Sequence, residues 1–204
     1  MTDKSDVSRT SDSEEAFAHD AVAAHVAPQE APPSFLRWLG ELVFMVLLAF
    51  VLATGIRTFV VQPYVIPTGS MIPTIGIGER VLANKFIYRF SLPEQGDIVV
   101  FDDPTKTVPT LIKRVIAVGG QTVDVHDGAV YVDGAKLNEP YTYGKPSEPG
   151  DVILPVKIPA GEVWLMGDNR TNSHDSRWFG PQPVSIVHGK AFLRYWPLNR
   201  FAKL

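Results

Sequence analysis

The sequence predicts a mainly β protein, in which a single N-terminal transmembrane helix precedes an all-β, partly barrel-like domain with a hairpin-rich excursion near residues 120–160. Three observations predict it. Leu42 to Ile56 contains no charged residue. Beyond it the chain breaks into short runs rich in Val, Ile and aromatic residues, which is strand composition. Gly and Pro recur between these runs, and helical periodicity is hard to find outside the apolar stretch.

Residues 1–34 come first. Lys4 and Arg9 stand there against Asp3, Asp6, Asp12, Glu14, Glu15, Asp20 and Glu30, and the apolar residues are mostly Ala and Val. Such a segment buries too little to offset its chain entropy and is expected to be a disordered acidic tail. Residues 35–61 follow as a transmembrane anchor. Crossing about 30 Å of hydrocarbon takes about 20 helical residues, and the stretch reaches that length with Glu41 and Arg57 near the interfaces. Val51-Leu52-Ala53 resembles a small-residue cleavage site. A cleaved secretory signal, however, begins within a few residues of the N-terminus, whereas this run follows a long polar segment, so an uncleaved signal anchor is the better reading. The tail is then placed in the cytoplasm and residues 62–204 across the membrane, because a domain that follows a lone anchor is usually translocated.

Within 62–204, strands are expected at Asp97–Phe101, Leu111–Val118, Ala129–Val132, Val152–Leu154, Glu162–Met166 and Ala191–Trp196. Asp127-Gly128 and Asp133-Gly134 bracket one of them as hairpin turns. The chain has no cysteine, which excludes a disulfide scaffold, a thiol nucleophile and a Cys-ligated zinc site. A formal net charge of −3 gives no electrostatic reason to expect a nucleic-acid partner.

Three stretches crowd polar residues where a β domain would otherwise alternate. In Pro67-Thr68-Gly69-Ser70-Met71-Ile72-Pro73-Thr74, two prolines flank a turn able to present Ser70 as a nucleophile and its N–H as an oxyanion donor, with Gly69 supplying backbone freedom. In Leu111-Ile112-Lys113-Arg114-Val115-Ile116, strand alternation puts Lys113 on a face with Leu111, Val115 and Ala117, and Arg114 opposite with Ile112 and Ile116. Burial lowers a lysine pKa toward the range in which its amine accepts a proton; an arginine cannot do this. Lys85 has a similar setting, and spacing does not choose between the two lysines. In Gly167 to Arg177, Asp168, Arg170, Asp175 and Arg177 alternate in sign among Asn and Ser residues, as in a rigid hydrogen-bonded loop from which a hydroxyl such as that of Ser173 could hold a neutral amine. Asn169-Arg170-Thr171 also fits an N-glycosylation sequon, a permissive pattern. His174 and Asp175 point apart in extended chain and make a poor start for a Ser-His-Asp triad.

Taken together and in order, these stretches resemble the bacterial type I signal peptidases, membrane-anchored serine proteases that remove signal peptides from exported proteins. The segments around Ser70, from Gly78 to Tyr88, from Gly96 through Ile116, and from Gly167 to Arg177 resemble four boxes of that family, in register. The resemblance implies Ser70 as nucleophile and Lys113 as general base, with Ser173 orienting the lysine amine. It implies an oxyanion hole from the Ser70 N–H and the hydroxyl of Thr68, a position where many members have Ser. Arg114, Asp168, Asp175 and Arg177 take structural roles, Asp175 and Arg177 as an ion pair. The implied partners are signal-peptide-bearing precursors, cut after Ala-x-Ala, and the lipid bilayer of the cytoplasmic membrane; neither metal nor cofactor is implied. The dozen or so residues between Arg57 and Ser70 span at most roughly 45 Å, which keeps the nucleophile near the membrane surface. Two rival readings are a soluble self-cleaving Ser/Lys protease, against which the anchor argues, and a membrane-anchored β scaffold, which leaves the register of Ser70 and Lys113 unexplained.

Overall fold

The structure, a computed structural model, describes residues 34–204. The expected acidic tail, apart from Ser34, lies outside the described residues. Helix α1 runs from Phe35 to Phe59. Its stretch Phe35–Ile56 is long and apolar enough to cross a membrane, and none of its most apolar window is buried against protein. A helix satisfies its own backbone bonds, so such a segment can leave apolar side chains to hydrocarbon at no hydrogen-bonding cost. The helix ends before residue 61: Val61 already opens strand β1. The chain divides into two units within α1, between Leu47 and Leu48.

The strands are β1 (Val61–Val65), β2 (Arg80–Asn84), β3 (Ile98–Asp102), β4 (Thr110–Val118), β5 (Thr122–His126), β6 (Ala129–Val132), β7 (Ala135–Lys136), β8 (Val156–Lys157), β9 (Glu162–Met166), β10 (Gln182–Pro183), β11 (Val187–Trp196) and β12 (Ala202–Lys203), with a one-turn helix α2 at Ser176–Phe179. The larger sheet has the order β1-β2-β11-β3-β4-β9-β10, with β12 on β11, and curls into a half barrel. The smaller sheet, β7-β6-β5-β8, is the excursion. Every recorded pairing is antiparallel.

The expected hairpins form for the expected reason. Asp127 and Gly128 have φ of 49° and 70°, and Asp133 and Gly134 have 52° and 79°. Positive φ at both central residues matches a two-residue loop to the twist of its strands, and Asp-Gly tolerates it. Val152–Leu154 is not a strand. Val152 and Leu154 pack inward against the cluster shared with the smaller sheet while Ile153 is 90% exposed, but the Val152 N–H donates to the Arg177 carbonyl rather than to a ladder.

Both faces of β4 are buried. Ile112 joins Ile66, Met71, Ile75, Val81 and Val100, whereas Val115 joins Val99, Phe101, Val163 and Leu165. The expected alternation stops at Ala117, because a register shift against β9 between Val115 and Ala117 sends Ile116 and Ala117 into the same cluster, with Trp164 and the inward residues of β5 and β6. The bulge thus lets one strand serve two sheets.

Candidate active site

The turn that carries Ser70 is pinned by apolar anchors. Met71 and Ile75 are fully buried in the first cluster, the Ile72 N–H donates to the Gly69 carbonyl at 3.2 Å, and the Ile75 N–H donates to the Met71 carbonyl at 2.9 Å. Gly69 is not in the left-handed region, so the freedom expected of it is not what the turn uses. A Cβ there would lie 3.0 Å from Ile72 Cδ1, the far end of a flexible side chain.

Lys113 faces this turn. It is paired with buried Val99 across β3–β4 and is only 2% exposed, and its Nζ lies 2.6 Å from Ser70 Oγ. Desolvation by the surrounding apolar residues pushes its pKa down to about 8, the nearby positive charge of Arg177 adding to the effect while Asp175, Asp103 and Asp168 oppose it. No carboxylate forms a salt bridge with it among the described residues. Lys85, the other candidate, sits past the end of β2 with its N–H on the Val60 carbonyl, and it is Lys113 that reaches the serine.

The loop after β9 surrounds this pair with fully partnered charges. Asp168 takes a two-pronged contact from Arg114, Nε to Oδ1 at 2.8 Å and Nη2 to Oδ2 at 2.7 Å, and its Oδ2 also accepts from Thr74 Oγ1 at 2.5 Å. It therefore ties the neighbour of Lys113 to the end of the Ser70 turn. Arg177 grips Asp175 through Nε at 2.8 Å and Nη2 at 2.9 Å and donates to the Arg170 carbonyl at 2.9 Å, so the expected ion pair forms. Asp175 also caps α2 and accepts from the Gly167 N–H at 3.0 Å. Arg170 reaches Glu139 and Ser147 in the excursion.

Thr68 is exposed at the mouth of an open cleft that it shares with Leu111, Val108 and His174. Ser173 is buried, yet its Oγ has no partner among the described residues, so the structure does not bring it into a hydrogen bond with Lys113. It lies against the backbone at Gly167, where a Cβ would fall 2.3 Å from Ser173 Oγ and 2.4 Å from the Ser70 carbonyl. Only glycine fits between the two serines. His174 is exposed beside the cleft and stacks on Trp178 with ring centroids 5.6 Å apart.

Two residues that sequence reasoning did not assign complete the surroundings. Asn169 Nδ2 donates to the Gly69 carbonyl at 2.9 Å and its N–H to the Ser70 carbonyl at 3.0 Å; Lys145 Nζ donates to Asn169 Oδ1 at 2.6 Å. Asn169 is 6% exposed and committed to these bonds, which argues against the sequon. Its place inside the Gly167–Arg177 stretch was a signal; Lys145, on a distant loop, gave none.

An apolar N-terminal helix ahead of a β domain that sets a serine hydroxyl on a buried amine is the arrangement of a membrane-anchored serine peptidase. The family profile described as signal peptidase, peptidase S26, matches residues 39–196, and the chain belongs to that family. It is 41% identical over 165 residues to the signal peptidase I of Leptolyngbya laminosa, covering 77% of this chain and 79% of the relative. To the signal peptidase I of Mycobacterium tuberculosis it is 37% identical over 229 residues, covering 85% of this chain and 77% of the relative. A crystal structure of a signal peptidase I from Enterococcus faecalis matches with a TM-score of 0.43 and 27% identity, covering 49% of this chain and 97% of that one.

Proposed function

We propose that this protein removes N-terminal signal peptides from exported precursors at the outer face of the cytoplasmic membrane, cutting after Ala-x-Ala with Ser70 as nucleophile and Lys113 as general base. One observation carries the reading: Lys113 Nζ lies 2.6 Å from Ser70 Oγ, with the amine pushed down to about 8 by burial. The Ser70 hydroxyl proton passes to neutral Lys113 as Oγ bonds to the scissile carbonyl carbon. The resulting oxyanion is held by the Ser70 N–H and the Thr68 hydroxyl. Collapse breaks the C–N bond, and the leaving amine takes the proton back from Lys113. A water molecule, deprotonated by the same amine, then hydrolyses the acyl-enzyme. Ser173 is assigned to orient the amine on the family resemblance; its buried hydroxyl, which has no partner among the described residues, is free to take that bond. Arg114, Asp168, Asp175 and Arg177 hold the frame. Residues 35–61 act as the anchor, with residues 1–34 in the cytoplasm and 62–204 outside.

The test is cleavage of a precursor bearing an Ala-x-Ala site by detergent-solubilised protein, with the new N-terminus sequenced. Wild type cuts after the second Ala; Ser70→Ala and Lys113→Ala, folded by circular dichroism, do not. Variants that cut as well as wild type overturn the proposal.

A further inference from the structure

The Ser70 N–H donates to no acceptor among the described residues, while the carbonyls on either side of it are both held by one residue, at Gly69 alongside the longer bond from the Ile72 N–H. That residue is Asn169. Its Nδ2 donates to the Gly69 carbonyl and its own N–H to the Ser70 carbonyl. The Gly69–Ser70 peptide is trans, so its carbonyl and its N–H point in opposite directions. Fixing the Gly69 carbonyl therefore aims the Ser70 N–H the other way.

The direction of the Asn169 amide is set chemically. A lysine ammonium has donors and no acceptor, so the amide oxygen must face Lys145 and the NH2 must face Gly69. A flipped amide would set donor against donor at Lys145 and oxygen against oxygen at Gly69. Lys145 is itself carried by the excursion, whose segment 139–147 is clamped to the neighbouring residue of the loop by Arg170 on Glu139 and Ser147, and lays Tyr141 on Arg114 with 4.0 Å between guanidinium and ring. The excursion thus backs the turn from behind.

We propose that Asn169, oriented by Lys145, is the positioning residue of the oxyanion hole: it fixes the Gly69–Ser70 peptide so that the Ser70 N–H meets the developing negative charge. This rests on the assignment of Ser70 as nucleophile and deepens it. Among the described residues neither side chain hydrogen-bonds Ser70 Oγ or Lys113 Nζ, so proton transfer and oxyanion stabilisation become separable.

The experiment measures kcat and KM of the full chain in detergent on an Ala-x-Ala peptide. It also measures the affinity of the corresponding peptide aldehyde, whose adduct with Ser70 places an oxyanion in the hole. Removing an oxyanion donor outright costs about 10²–10³ in kcat, so misaiming one in Asn169→Ala should cost about 10–100-fold, with KM nearly unchanged and aldehyde affinity falling by the same factor. Asn169→Asp keeps the contact with Lys145 but loses the donor, and should fall as far. Lys145→Met, at a half-buried position that tolerates an apolar chain, should lose about 3–10-fold in the same parameters and add nothing to Asn169→Ala, since both act through one contact. Wild-type kcat in Asn169→Asp, or losses confined to KM with aldehyde affinity intact, overturns the proposal. A Ser70→Ala control that still cleaves removes the catalytic reading and this one with it; an inactive control beside a fully active Asn169→Asp removes this one alone.

Discussion

Lys113 and the arginines of the loop after β9 are buried to the same extent: Lys113 is 2% exposed, Arg170 2% and Arg177 1%. Their chemistry diverges because their partners differ. Each guanidinium is forked onto a carboxylate, Arg177 onto Asp175 and Arg170 onto Glu139, with remaining donors on carbonyls or Ser147. Hydrogen bonding and the charge of Glu139 raise the Arg170 pKa above its ordinary value, against the pull of desolvation. Among the described residues the Lys113 amine hydrogen-bonds only the Ser70 hydroxyl, and desolvation outweighs the more distant carboxylates. The comparison teaches that burial alone does not make a base: the same low dielectric locks a paired cation in its charged form and frees an unpaired one to give up its proton.

Exchanging the two kinds of cation breaks the contrast most sharply. Lys113→Arg keeps positive charge beside Ser70 but cannot deprotonate, and kcat should fall by a factor on the order of 10³, toward that of Lys113→Ala, in the same peptide assay. Asp175→Ala attacks the other side. It leaves Arg177 buried without its carboxylate and strips the Gly167 N–H and the α2 cap of their acceptor, so urea denaturation should show a loss of about 3–5 kcal/mol.

The smaller expected effect is a pH dependence that sharpens the comparison. Unfolded lysine holds its proton up to about 10.5, whereas folded Lys113 releases it near 8, so between these values the unfolded state binds more protons and stability rises with pH. Wild type measured against Lys113→Met should gain up to roughly 3 kcal/mol across that window in urea titrations, and nothing further above it. The rate follows the same sign: kcat/KM should rise with pH and level off above about 8, as the neutral base becomes populated.

Sequence patterning made the fold class readable because its signals are local. An uncharged run marked α1, and Asp-Gly pairs marked the β5–β6 and β6–β7 hairpins, each through the backbone preference of adjacent residues. The same locality hid β8, β10 and β12, whose two residues pair only because a partner strand arrives. It also misled at Val152–Leu154, where inward–outward alternation is present but the backbone bond goes to Arg177. In the site, Ser70 and Lys113 were legible as a hydroxyl on a turn and a lysine among apolar residues, yet nothing local separated Lys113 from Lys85. Ser173 was expected on the lysine, and its hydroxyl stands beside Gly167 with no partner among the described residues. Asn169 carried a sequon pattern and a place inside the Gly167–Arg177 stretch, and Lys145 carried nothing.

The sequence by itself determined the long apolar helix, the strand-rich domain and the residue types able to form a Ser/Lys pair, because hydropathy, turn chemistry and side-chain identity act over a few residues. Spacing left two lysines open and the family resemblance pointed to Lys113; the tertiary structure sets that lysine on the serine, and it alone decided which charges stay paired and what grips the Ser70 turn. Those outcomes depend on contacts such as Lys113–Ser70, Asp168–Thr74 and Asn169–Gly69, which join positions 43, 94 and 100 residues apart. Contacts that distant exist only once the curled sheet has brought β4, the Ser70 turn and the loop after β9 into one buried, low-dielectric place.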